Sequence, residues 1–163
     1  MNKYKYIETL GKKAKVASEE LSNLSEHKKN EVLKQFHSKV KKNTNLILKA
    51  NKIDILNSKK NKLSDNLIDR SLLNKDRIKS ILNSIEEVIS FKDPSNQIIA
   101  KWKRPNGLVI NRMTTPIGVL GVIYEARPNV TSDVSILSFK SGNCAILRGG
   151  KEAIQSNIMI SNL

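Results

Sequence analysis

The sequence predicts an α/β protein with three parts: a helical N-terminal region, a β-hairpin, and the start of a parallel sheet that is incomplete as it stands. Three observations carry this. Apolar residues recur every three or four positions up to residue 92. An Asn-Gly pair then separates two β-prone runs, QIIAKWKR and LVINRMTT. After them come IGVLGVIY, a helical pattern and CAILR, the order of a strand–helix–strand unit.

The first helix is marked by Ile7, Leu10, Ala14, Ala17 and Leu21, one stripe at helical spacing. Ser25 is placed to cap the second, with Val32, Leu33, Phe36 and Val40 facing inward. Leu46, Ile47, Ala50, Ile53 and Asp54 suggest a third. Ser64 and Asn74 suit the caps of two more. The fifth has the clearest face: Ile78, Ile81, Leu82, Ile85, Val88 and Ile89. Each such side chain stabilises by roughly 1.5–3 kcal/mol when fully buried, so this helix is expected to dock firmly. The reading for all five is packing, with no chemistry assigned.

The chain changes character at Asp93-Pro94 and again at Pro116, giving segments 1–92, 93–115 and 116–163. Pro105-Asn106-Gly107 is expected to turn the hairpin, which could serve as an assembly arm or be a plain surface hairpin. Residues 117–124 form a nearly continuous apolar run, the pattern of a parallel strand covered on both faces. A helix over 130–140 follows, with Val134, Leu137 and Phe139 as its apolar residues and Thr131 or Ser132 as its cap. Gly142 stands where a helix end wants a left-handed residue. Residues 144–148 make the second strand, and Gly149-Gly150 leads to a last helix from about Lys151. Two parallel strands cannot cover themselves, so the sequence is expected to be the first part of a longer protein.

Ligands of open α/β sheets bind beyond the carboxyl ends of the strands. Here that place is YEARPNV. The usual dinucleotide fingerprint, G-x-G-x-x-G, is absent, and Gly118 and Gly121 fall within the strand pattern instead. Arg127 precedes Pro128, which biases it to an extended backbone. Its guanidinium could grip a carboxylate or phosphate. Asn129 could donate to a developing oxyanion. Glu125 could orient Arg127, or simply form a salt bridge with it. Arg148 and Lys151 flank two glycines near a helix start, which suits phosphate or leaves both merely solvated.

Net charge is +14, from 29 Lys plus Arg against 15 Asp plus Glu. A basic helical module binding nucleic acid is one reading of this. The lysines are spread over several helix faces, however, and aromatics for base stacking make up only 4%. Drift toward Lys, Asn and Ile is the favoured reading, with no nucleic-acid partner. No apolar run approaches the roughly 20 residues of a membrane span, and the N-terminus lacks a secretory pattern. A cytoplasmic location is expected. One cysteine, Cys144, excludes an internal disulfide framework and a multi-cysteine zinc site.

The stretch PIGVLGVIYEARPNVTSDVSILSFKSGNCAILRGGKEA closely resembles the gamma-glutamyl phosphate reductase (glutamate-5-semialdehyde dehydrogenase) family of the aldehyde dehydrogenase superfamily. The helices before it, with Asp93, Pro94 and Gln97, resemble the same family's N-terminal region. The resemblance implies an atypical Rossmann-like, aldehyde dehydrogenase-like fold. Residues 1–92 and 116–163 would belong to an NADP-binding domain, and 93–115 would form a possible oligomerisation arm. It implies NADPH-dependent reduction of L-glutamyl 5-phosphate to L-glutamate 5-semialdehyde in proline biosynthesis, by a homo-oligomer when full length.

The resemblance also implies site residues. Ile123 and Tyr124 fall where strand-end residues contact the cofactor. Arg148 falls where a lysine usually holds the adenosine ribose. Lys151 falls where NAD-preferring relatives often carry a glutamate, and a cation there fits a 2′-phosphate. Arg127 stands opposite an asparagine that stabilises the oxyanion in the wider superfamily. Binding of substrate carboxylate or phosphate by Arg127 is an equal alternative. Cys144 is read as structural, since nothing near it in sequence would lower its pKa. The family's catalytic cysteine lies in a domain beyond these residues, so the chain alone is not expected to catalyse. His27 and His37 are read as lone surface residues. A non-catalytic remnant acting through assembly is the remaining alternative.

Overall fold

Residues 3–163 are described by a computed structural model. Five helices come first: α1 (Lys3–Ser22), α2 (Glu26–Lys42), α3 (Thr44–Lys60), α4 (Asp65–Ser71) and α5 (Lys75–Ser90). Two antiparallel strands follow, β1 (Ile98–Lys103) and β2 (Val109–Met113). The last part contains β3 (Val119–Ile123), α6 (Pro128–Lys140), β4 (Cys144–Arg148), a 3₁₀ turn (Lys151–Ala153) and α7 (Ile154–Ser161). β3 and β4 pair in parallel, joined through α6. The α/β expectation holds, and each sheet has two strands among the described residues.

α5 is the centre of the packing. Its Ile78, Ile81, Ile85 and Val88 are buried, and it lies against both α2 and α6. Leu33 and Val40 of α2 and Ile136 of α6 complete the same core. Asn74 caps α5 by accepting from the Arg77 N–H at 2.8 Å. Ser25 caps α2 through the Lys28 N–H at 3.3 Å. Ser64 occupies the cap position of α4 without a side-chain hydrogen bond.

Other helix faces differ from expectation. Ile7 of α1 is exposed, as is Ala17, and the inner face is Ala14, Ser18 and Leu21. On α3, Leu46 and Ile53 face out, while Ile47, Asn51, Asp54 and Ser58 are buried. That inner face is polar because its partners are backbone groups. Asn51 donates to the Ser71 carbonyl at 2.7 Å and accepts from the Leu73 N–H at 2.7 Å. Asp54 accepts from the N–H groups of Gln155 at 3.1 Å and Ser156 at 2.8 Å, so α3 caps α7. On α6, Ile136 enters the core at 2% exposure and Leu137 is 50% exposed, which reverses the expectation for Leu137.

Two buried cations lock the helices to the later segments. Lys29 of α2 is fully buried and donates to Asp93 at 2.7 Å and to Ser95 at 2.8 Å. Burial pushes the Asp93 carboxyl up, but the hydrogen bonds from Lys29 and Ser95 outweigh it, and the net shift is downward. Lys140, at the end of α6, donates to Asn30 at 2.7 Å and to the Ile89 carbonyl at 3.3 Å.

The hairpin turns at Pro105-Asn106-Gly107, with Gly107 at φ +87°. Its side chains are largely exposed, including Trp102 and Ile110. The end of α6 has the expected left-handed glycine. Gly142 lies at φ +76°, its N–H reaches the Phe139 carbonyl, and the Asn143 N–H reaches Ser138. A Cβ on Gly142 would meet Pro116 at 2.8 Å, so space as well as φ demands glycine. Gly118 precedes β3 rather than lying in it, at φ +113°. β3 is not covered on both faces: Ile123 is 85% exposed, because a two-stranded sheet offers too little to cover it.

Candidate functional site

The ends of β3 and β4 stand side by side. Ile123 is the register partner of Arg148, and the Tyr124 N–H donates to the Arg148 carbonyl at 3.1 Å. Three of the four cofactor-site candidates therefore meet at one edge by backbone pairing. The Arg148 side chain is exposed, and neither it nor Lys151 has an ion-pair partner among the described residues. Lys151 opens the 3₁₀ turn, where a helix had been expected to begin.

Gly149 and Gly150 connect these groups, and both are glycine for reasons of space. A Cβ at Gly149 would run into the Asn157 amide and reach the Tyr124 ring at 3.0 Å. One at Gly150 would sit 2.9 Å from the Ala126 nitrogen. The backbone after β4 thus presses directly on the corner after β3. Tyr124 itself turns inward. Its hydroxyl is 2.6 Å from Thr131 Oγ1, and Thr131 donates to Asn157 Oδ1 at 2.9 Å. The ring braces α6 against α7, leaving the backbone and Ile123 at the sheet edge.

Lys151 lines a 540 Å³ cavity with Asp54, Asn57, Ser58, Asn61, Leu63, Glu152 and Ile154. Arg127 and Asn129 line a different cavity, of 320 Å³, between α4, α5 and the start of α6. The predicted site residues are therefore split between two places. Arg127 has the extended backbone its proline implied, φ −128° and ψ 94°, and it is the residue capping α6. The helix begins at Pro128, so Thr131 and Ser132 are not its caps. Glu125 does not pair with Arg127. It reaches Arg70 of α4 at 3.0 Å, an exposed contact that contributes little to stability.

Several residues of the second cavity had no signal in the local sequence. Asp69, Arg70, Arg77, Ser80, Ser84 and Asp133 line it with Arg127 and Asn129. Arg77 is engaged with Asp69 and with the Leu72 carbonyl at 2.8 Å. Asn129 donates to Asp133 at 3.0 Å. Burial pushes the Asp133 carboxyl up, and that hydrogen bond offsets it only partly. Cys144 is half-buried at the start of β4, its N–H donating to Gly118 at 2.8 Å. His37 is not a free surface residue: Nε2 lies 3.1 Å from Glu86, bridging α2 and α5. Among the described residues there is no cluster of side chains suited to a metal ion, and no helix is long and apolar enough to cross a membrane.

No protein-family model matches the chain. Curated gamma-glutamyl phosphate reductases do match. That of Dictyoglomus thermophilum is 46% identical over 152 residues, covering 93% of this chain and 37% of its own length. That of Clostridium novyi is 43% identical over 163 residues, covering 100% of this chain and 39% of its own length. The crystal structure of the Thermotoga maritima enzyme superposes with a TM-score of 0.91 at 40% identity, over 93% of this chain and 36% of that one.

The chain resembles gamma-glutamyl phosphate reductase throughout its length.

It spans a little over a third of the length of the gamma-glutamyl phosphate reductases it matches. A probable aldehyde dehydrogenase from Listeria monocytogenes superposes with a TM-score of 0.65 at 12% identity, covering 97% of this chain and 32% of that one. That likeness shows the fold alone. Gamma-glutamyl phosphate reductase and aldehyde dehydrogenase thus share this arrangement of helices, hairpin and paired parallel strands.

Proposed function

We propose that the chain forms part of the nucleotide-binding side of an NADPH-dependent gamma-glutamyl phosphate reductase. The reaction is reduction of L-glutamyl 5-phosphate to L-glutamate 5-semialdehyde with release of phosphate, the step expected in proline biosynthesis. One observation carries the cofactor side: the neighbouring ends of β3 and β4, where Arg148 and Lys151 leave two unpaired cations around Gly149-Gly150. The sequence likeness, 43–46% over nearly the whole chain, supports the reaction.

The residues present fit a phosphate-bearing nucleotide. The Gly-Gly turn has no side chains to fill the edge, and the two cations offer charge to phosphate oxygens. Arg148 would lie toward the ribose and Lys151 toward a 2′-phosphate, with Ile123 and the Tyr124 backbone along the strand edge. The cofactor, when bound, supplies a hydride. Arg127 and Asn129 would serve the substrate, by holding an anionic group or donating to the oxyanion. The nucleophilic cysteine would come from a region outside these residues, since Cys144 opens a core strand. The segment boundaries at 92 and 115, the assembly role of 93–115, homo-oligomer formation and a cytoplasmic location belong to the same proposal.

The test is to join the chain to the remaining part of a gamma-glutamyl phosphate reductase and follow NADPH oxidation with glutamyl phosphate. Phosphate-dependent aldehyde chemistry is expected. Lys151→Glu should reduce use of NADPH far more than use of NADH. Equal loss with both would remove the 2′-phosphate role.

A further inference from the structure

The 320 Å³ cavity beside α6 is lined by charges of both signs, contributed by α4, α5 and α6. Most of those charges are already committed. Arg70 holds Glu125, and Arg77 holds Asp69 and two backbone carbonyls. Two groups are not. The Arg127 guanidinium has no hydrogen bond or ion pair among the described residues. Asp133 receives one hydrogen bond, from Asn129 to Oδ2, and its Oδ1 has no partner among them. A lone cation and a half-satisfied carboxylate therefore face one small volume, with the Asn129 amide between them in sequence and in contact with the acid.

We infer that this cavity recognises the head group of an α-amino acid, Arg127 binding its carboxylate and Asp133 accepting from its ammonium. The inference rests on the reading above, and it adds Asp133 as the residue that tells an amino acid from a plain dicarboxylate. The chemistry is specific. A guanidinium offers paired donors to a carboxylate. An acceptor-only oxygen in a half-buried place is matched by a cationic donor and left costly by a ligand without one. The same ammonium would relieve the burial that now pushes the Asp133 carboxyl up. The walls add Ser80 and Ser84 from α5, small polar side chains that leave room for the rest of the ligand.

The test is a proton–nitrogen NMR titration of the 163-residue chain with L-glutamate, glutarate (no ammonium) and 4-aminobutyrate (no α-carboxylate), each taken to about 20 mM to reach millimolar sites. L-Glutamate is expected to shift the Arg127 Nε–H and the Asn129 side-chain amide, with the other two at least about tenfold weaker. Asp133→Asn should bring L-glutamate down to the level of glutarate, and Arg127→Ala should abolish the shifts while the remaining spectrum stays folded. Equal response to all three ligands, no response at Arg127 and Asn129, or retained discrimination in Asp133→Asn would each overturn the inference. A parallel titration with 2′,5′-ADP, read at Arg148 and Lys151, reports on the cofactor reading. Failure of one site with the other intact separates the two claims.

Discussion

Lys29 on α2 and Asp93 before the hairpin form an ion pair of 2.7 Å, with the lysine side chain fully buried. This contact ties the helical part to everything that follows. Removing one partner strands the other charge. Lys29→Met is expected to destabilise the chain by about 3 kcal/mol in urea denaturation, with Lys29→Met/Asp93→Leu recovering much of the loss. A double variant no better than the single would show that the pair is not the cause.

The same pair sets an acid limit. The Asp93 carboxyl lies below its ordinary 3.8 in the folded protein. Its contribution is therefore complete above that value and is lost as pH falls through the lower folded value. Stability measured from pH 5 downward should fall less steeply in Asp93→Asn than in the parent.

Asp133 works in the opposite direction. Burial holds its carboxyl above 3.8 when folded. The folded state then keeps the proton longer, and stability is lost as pH rises from 3.8 through the raised value. Asp133→Asn should remove that loss and be the more stable protein, relative to the parent, at neutral pH than at pH 3. A constant difference between the two across that range would contradict the assignment.

Gly149 is held by space. Gly149→Ala is expected to cost about 1–3 kcal/mol, because its Cβ would meet the Asn157 amide and the Tyr124 ring. Gly121→Ala is the control: nothing lies within 4 Å of its Cβ, and the change should be small or favourable. Chemical denaturation of both variants checks this.

Much of the scaffold was legible because its causes are local. The α5 stripe from Ile78 to Val88, the Asn74 cap, the Asn-Gly turn and the glycine after α6 depend on neighbours a few residues away, and all appear where expected. The misses depend on distant partners. The polar inner face of α3 makes sense only once α7 stands against Asp54 and the backbone of Leu73 against Asn51. Glu125 reads as a partner for Arg127 two residues on, yet Arg70 comes from 55 residues earlier. The strand-end pairing of Ile123 with Arg148 follows from the strand–helix–strand pattern, whereas the cavity around Arg127 needs α4 and α5, which no spacing within YEARPNV reveals.

The cofactor edge is tested most directly by comparing 2′,5′-ADP with 5′-ADP in a chemical-shift titration of the chain. Backbone signals of Tyr124, Arg148, Gly149, Gly150 and Lys151 should move together, and more at equal concentration with the 2′-phosphate present. Shifts confined to other surfaces, or identical responses to both nucleotides, would contradict a phosphate-reading edge at the ends of β3 and β4.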